Sequence, residues 1–134
     1  MSVLDASIVV RILEHRRGDD ALRERLAQDP ALHAPALLDA EVVTAVRGLL
    51  LTSKIGSRIT EARAQRMLVR YGELPVHRHP MQPLQGRVLQ LRHNLTAYDA
   101  FYVALAESLP MPLLTDDRKF ERAAGHSAVV ETWA

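Results

Sequence analysis

The 134-residue chain contains no cysteine. That absence excludes a disulfide scaffold, Cys-ligated zinc, iron–sulfur ligation and thiol catalysis. Long hydrophobic runs are missing too: the longest, Ala100 to Ala106, is seven residues, far short of the ~20 a membrane span needs. There is no excess of charge of either sign, since 17 Lys and Arg against 16 Asp and Glu leave a net +1. Global charge therefore implies no nucleic-acid or membrane partner, and any such argument must rest on where charges lie. No Gly-rich phosphate loop, nucleophile elbow or dinucleotide fingerprint occurs, and Met1-Ser2-Val3-Leu4-Asp5 lacks the basic region and long apolar core of a signal peptide. What remains is an ordinary globular mix, 48 % hydrophobic and 25 % charged. A soluble, cytoplasmic, single-domain protein without a membrane association is expected.

Short apolar stretches that suit strands alternate with helical periodicity along the whole chain. Strands are predicted at Ser2 to Leu4, Leu32 to Ala34, Leu74 to His77, Pro112 to Thr115 and Ala128 to Glu131. Between them lie helical stretches: one with Ile8, Val9, Ile12 and Leu13, and a short one with Ala21, Leu22 and Leu26. A third begins at Pro35, a residue suited to a first helical position. Further helices are predicted over about 58–71, 80–93, 96–109 and 117–124. This alternation predicts an α/β protein, a mostly parallel central sheet covered by helices in three α/β/α layers. In such sheets ligands bind beyond the carboxyl ends of the strands, which is where the acids deserve weighing.

Ten of the carboxylates, among them Asp19, Asp29, Glu107 and Glu131, sit among polar or basic neighbours and read as solvated surface. Asp5 follows a strand and precedes a helix, where an N-cap would also explain it. Glu41 lies in an apolar helical stretch with no Lys or Arg three or four residues away, and a semi-buried carboxylate without a partner is costly. Thr96-x-x-Asp99 fits a capping box, yet Val103 one turn on turns Asp99 toward the core. Asp116 and Asp117 follow the strand at Thr115, and capping accounts for only one of them. Acids brought together repel and need a compensating cation. Oxygen ligands without His or Cys favour Mg²⁺ or Mn²⁺ over zinc, and such an ion can drive phosphodiester cleavage.

The chain resembles the PIN-domain ribonucleases, and among them the VapC toxins of toxin–antitoxin pairs. The resemblance runs nearly end to end, as a single PIN domain over residues 1–134. It rests on Val3-Leu4-Asp5-Ala6-Ser7, on Glu41, on Leu95-Thr96-Ala97-Tyr98-Asp99-Ala100-Phe101-Tyr102-Val103-Ala104-Leu105-Ala106, and on Pro112-Leu113-Leu114-Thr115-Asp116-Asp117-Arg118. It implies a PIN-like fold and a Mg²⁺- or Mn²⁺-dependent endoribonuclease leaving 5′-phosphate and 3′-hydroxyl ends. The family's acidic positions fall on Asp5, Glu41, Asp99 and Asp117, with Asp116 second to Asp117, and Thr115 and Ser7 support them. An Asn common one turn after the helical Glu is here Thr44. The resemblance also implies an RNA substrate, a VapB-like antitoxin, a homodimer and a toxin–antitoxin hetero-oligomer. The alternative is a non-catalytic PIN-fold module that binds RNA or protein, disfavoured because a scaffold gains nothing from buried like charges.

Other features carry weaker signals. His77-x-His79 places two imidazoles on one strand face without a further ligand cluster. Fifteen of the 17 basic residues are Arg, the planar fork suited to phosphates. Arg63, Arg66 and Arg70 share one helix face, which suits a solvated surface, an RNA-backbone strip or an acidic partner segment. Leu49-Leu50-Leu51 leaves more apolar surface than one helix face buries, a candidate self-association surface.

Overall fold

A computed structural model describes residues 1–134. Five strands form one sheet: β1 Ser2–Leu4, β2 Leu32–Pro35, β3 Val76–His79, β4 Leu113–Thr115 and β5 Val130–Thr132. Their order is β3-β2-β1-β4-β5, and every neighbouring pair is parallel. The predicted α/β/α architecture is therefore observed, with a wholly parallel sheet. Seven α-helices surround it: α1 Ala6–Glu14, α2 Asp20–Ala27, α3 Leu38–Leu51, α4 Glu61–Glu73, α5 Gln85–Gln90, α6 Ala97–Ser108 and α7 Lys119–Arg122. None is long and apolar enough to cross a membrane.

β1 is central because its three residues are all buried, as a strand covered on both faces requires. The run Ala100 to Ala106 becomes the interior of α6, and all seven residues are buried. Its small alanines let α6 lie close along β1, β2 and β4, with α5 against it. On α1 the apolar residues repeat on one face, burying Ile8, Val9 and Leu13 while α1 packs on α3 and α4.

Pro35 does not start a helix. It ends β2 opposite His79, a place where a missing N–H is tolerated, and α3 begins three residues later. The stretch from Pro80 to His93 is not one helix but a 3₁₀ turn, Gln82–Leu84, running into the short α5.

Several carboxylates that read as solvated surface are structural. Glu107 on α6 takes both Nε and Nη2 of Arg87 at 2.8 and 2.9 Å, and the Ser127 amide at 2.9 Å. Arg25 of α2 spans to Glu131 on β5 at 3.0 Å. Arg11 grips the buried Asp19 at 2.5 Å. Asp29 accepts from Ser2 and from the Ala31 amide. Asp39, which no sequence pattern singled out, receives the Tyr71 hydroxyl at 2.6 Å and Arg78 at 2.7 Å.

The Arg87 guanidinium holds the Glu107 carboxyl down to about 2, below its ordinary 4.5. A depressed acid stabilises the fold above its unfolded pKa and loses that contribution as pH falls through the folded value. Glu107→Gln is thus expected to lower unfolding free energy at pH 7 by ~1–3 kcal/mol. In urea titrations the gap to wild type is expected to narrow as pH drops from 4.5 toward 2; a gap independent of pH would contradict the ion pair's role.

Candidate active site at the carboxyl ends of the central strands

Asp5 follows β1 directly and its side chain caps α1, accepting the Ile8 amide at 3.3 Å. Cap and candidate ligand are thus the same residue. Its other bonds come from across the sheet. Thr115, the last residue of β4, donates its hydroxyl to Asp5 at 2.5 Å, and Ser7 donates at 2.5 Å. Both hydroxyls also accept: Thr115 from the Asp117 amide at 3.0 Å, Ser7 from the Asp116 amide at 3.1 Å. The carboxylate after β1 and the two acids after β4 are therefore locked in one network.

Asp5 is only 7 % exposed. Burial pushes its carboxyl up to about 6 from 3.8, against the pull of Ser7, Thr115 and the Ile8 amide; the charge of Asp116 adds to the rise. Desolvation outweighs three hydrogen bonds here.

Asp99 and Asp117 are brought together by a cation that sequence reasoning missed. The Lys119 ammonium lies 2.9 Å from Asp99 and 3.1 Å from Asp117. Thr96 donates its hydroxyl to Asp99 at 3.0 Å and makes no bond to the helix backbone, so the expected capping box does not form. Asp117 accepts the Lys119 amide at 2.9 Å; that bond, then the Lys119 side chain, holds its carboxyl below the usual range.

Glu41 lies in the first turn of α3, which follows β2. It has no ion-pair partner. The buried Tyr102 hydroxyl, one turn along α6 from Asp99, faces Glu41 yet makes no hydrogen bond of acceptable geometry. Burial, then Glu41 and Asp5, drives the Tyr102 phenol far above its ordinary value. Glu41, Tyr102 and Asp5 are thus neighbours. Tyr102 was legible only as part of a motif, because nothing in its apolar surroundings marks a hydroxyl.

Three of the four acids stand at the positive poles of helices: Asp5 caps α1, Glu41 lies in the first turn of α3 and Asp99 in that of α6. Oriented amides offset part of the repulsion, and Lys119 offsets more. As arranged, no three His, Asp or Glu side chains stand close enough to hold one ion. The carboxylates are strung along one end of the sheet rather than gathered around a point.

The remaining candidates lie elsewhere. Arg63, Arg66 and Arg70 line one pocket with Leu13, Glu14, His15 and Met67, where Arg63 donates to the Glu14 carbonyl at 3.0 Å. His77 and His79 are joined by His33, whose Nδ1 is 2.9 Å from His79 Nε2 and whose ring stacks on His77; burial, then its two neighbours, lowers the His33 pKa. In the Leu49–Leu51 stretch, Leu51 is 62 % exposed beside a groove lined by Val43, Val46, Leu50 and Leu68 of α3 and α4.

A folded pKa raised above the unfolded one means that Asp5 contributes stability fully below pH 3.8 and loses it as pH rises through about 6. Asp5→Asn keeps a capping oxygen and removes the charge. At pH 7 the variant is expected to match or exceed wild-type stability, by as much as ~1–3 kcal/mol, with the difference gone below pH 4. Chemical denaturation at pH 4 and pH 7 checks this; an equal loss at both would contradict the burial cost.

A PIN domain model matches residues 2–126. The chain is 37 % identical over 131 residues to Ribonuclease VapC12 of Mycobacterium tuberculosis, covering 98 % of both chains. It is 40 % identical over 124 residues to Ribonuclease VapC1 of the same organism, covering 92 % of this chain and 90 % of that one. In fold it is similar to VapBC2 from Rickettsia felis bound to a promoter DNA fragment, with a TM-score of 0.69, 16 % identity and coverage of 99 % and 98 %. It is likewise similar to VapC20 of M. tuberculosis, a sarcin-ricin loop cleaving toxin, with a TM-score of 0.64, 16 % identity and coverage of 96 % and 98 %. The acids placed by β1, α3, α6 and β4 thus sit in a chain that belongs to the VapC family of PIN domains.

Proposed function

We propose that the protein is a divalent-metal-dependent endoribonuclease acting as the toxin of a VapBC-type pair. The observation that carries this reading is Asp5: a carboxylate kept buried at a cost in stability, wired to the acids after β4 at the end of the sheet where ligands bind. The family likeness supports RNA as the substrate.

The chemistry of the residues fits a hard cation, which would have to draw the carboxylates together to be shared by them. The donor set is all oxygen, which suits Mg²⁺ or Mn²⁺, and the Lys119 ammonium shows that Asp99 and Asp117 already share one positive charge. Asp5, Glu41, Asp99 and Asp117 are the residues that would hold the ion, with Asp116 as an outer acid. When bound, such an ion activates water and neutralises charge on the phosphate. The chain's own part is to position. Thr115 holds Asp5 by donation and Asp117 by acceptance, and Ser7 does the same for Asp5 and Asp116. No side-chain nucleophile is required.

A VapB-like antitoxin is the partner this reading implies, with an Arg or Lys pairing with the acids of the cleft. The apolar groove between α3 and α4 supports the reading of a homodimer or toxin–antitoxin hetero-oligomer. A cytoplasmic location follows from the substrate.

Asp99→Asn is expected to reduce cleavage of total bacterial RNA by at least ~100-fold while the melting temperature stays close to that of wild type, since the Lys119 pair it breaks is half exposed. An unfolded variant with normal activity per folded molecule would make Asp99 a structural residue only. Mn²⁺ added to weakly buffered wild-type protein is expected to release protons near pH 6, where Asp5 is half protonated, and none near pH 8. Neither binding nor release would favour a non-catalytic module.

A further inference from the structure

Three cations share a groove with Asp116 and Asp117, and positioning the carboxylates leaves two of them unused. Arg118, Lys119 and Arg122 line an open groove of ≈ 590 Å³ together with Asn94, Asp116 and Asp117. Lys119 is committed to Asp99 and Asp117, whereas Arg118 and Arg122 make no ion pair and no side-chain hydrogen bond. Arg118 caps α7 and Arg122 ends it, so the two free guanidinium groups are one helical turn apart. Their mount is fixed. Phe120 between them is 1 % exposed, and the His126 ring bonds its carbonyl at 3.0 Å.

The Arg-rich face of α4 is placed differently. Its pocket takes in Glu14 and His15 at the carboxyl end of α1, whereas Asp5 caps the amino end. At 1.5 Å per residue, the nine residues of α1 separate the two by ~14 Å. Arg63 is occupied with the Glu14 carbonyl, and the negative pole of α1 and the Glu14 carboxylate oppose an anion there. Arg118 and Arg122, by contrast, share their groove with Asp116 and Asp117, the two acids tied to Asp5 through Ser7 and Thr115.

We propose that α7 with Arg118 carries the RNA-backbone site: Arg118 and Arg122 hold phosphates flanking the scissile one, and Lys119 exchanges Asp99 and Asp117 for the substrate phosphate when a divalent ion takes those carboxylates. This rests on the ribonuclease reading above. The ammonium is a point charge on a flexible stem, half exposed at the groove, so the exchange needs no backbone movement. In metal-free protein Lys119 holds the acids together; with metal and RNA present it faces the anion. Guanidinium forks suit the flanking phosphates, which need stable bidentate contacts.

The test uses a fluorescein-labelled single-stranded RNA, EDTA and fluorescence anisotropy at several salt concentrations. Arg118→Ala/Arg122→Ala is expected to weaken binding by ~10-fold or more and to reduce the salt slope by about 1.4, the value for two phosphate contacts on a single strand. Arg66→Ala/Arg70→Ala is expected to bind like wild type. Separately, calorimetry with Mn²⁺ alone is expected to show several-fold tighter binding to Lys119→Met, because the competing ammonium is gone, although its RNA cleavage at saturating Mn²⁺ falls. Lys119→Arg keeps the charge and is expected to retain more cleavage. Thermal melts confirm that each variant folds, and Lys119→Arg carries the lysine test if Lys119→Met does not.

Weakened RNA binding by the α4 pair with none by the α7 pair would overturn the proposal and route the strand over α4. Unchanged Mn²⁺ affinity and full cleavage by Lys119→Met would reduce Lys119 to a surface counterion. If wild type cuts RNA and Asp99→Asn does not, these outcomes sink the α7 site alone. A wild type that neither binds nor cuts RNA sinks the ribonuclease reading with it.

Discussion

One buried carboxylate organises the working end of this molecule. Asp5 closes β1, starts α1 and receives the hydroxyl that ends β4. Thr115 passes the connection to the Asp117 amide and Ser7 passes it to the Asp116 amide, so the two acids directly after β4 are tied to the Asp5 carboxylate. An uncharged residue would sit there more comfortably. Asp5, Glu41 and Asp99 each sit at the amino end of a helix, α1, α3 and α6 respectively, where unpaired N–H groups offset part of the electrostatic penalty. The sheet's parallel order then matters for function: only adjacent parallel strands, β1 beside β4 and β2, deliver their following residues to one edge.

Ion pairs at the periphery keep that edge in place. Trp133 donates its amide to the Thr115 carbonyl at 2.8 Å, extending the β4–β5 ladder beside the Asp5 network. Arg11, itself paired with Asp19, reaches the Trp133 carbonyl, and the Trp133 indole donates to Glu131 at 3.1 Å. Arg25 binds the same Glu131. β5 is short and lies at the edge of the sheet, where a strand has few bonds of its own. Charges from α1 and α2 therefore fasten the strand that flanks the site.

The strands and the central helix were legible because their causes are local. A strand covered on both faces is mostly apolar, and a helix buried all round is an apolar run; Val3-Leu4 of β1 and Ala100 to Ala106 of α6 show both in sequence, while the buried Ser2 is satisfied by Asp29. Asp5 was legible as an acid at a strand end, and Thr115 through its motif. What escaped depends on residues far apart in the chain. Lys119 meets Asp99 twenty positions away, Arg25 meets Glu131 more than a hundred away, and His33 meets His77 and His79 only after β2 pairs with β3. Local neighbours made Glu107 and Asp29 look solvated, because the groups that bury and pair them arrive through topology. Pro35 misled in the opposite sense: its ring suits a helix start, but it equally suits a strand end, and pairing with β3 decided the matter.

A divalent site at the strand ends requires Asp5, Glu41, Asp99 and Asp117 to gather around one cation. Crystals grown with Mn²⁺ and measured at the manganese edge test this most directly. An anomalous peak contacted by Asp99 and Asp117 and flanked by Asp5 and Glu41, with Lys119 displaced from both aspartates, is the expected result. Saturating Mn²⁺ with no peak there, and Lys119 still bridging Asp99 and Asp117, would contradict it.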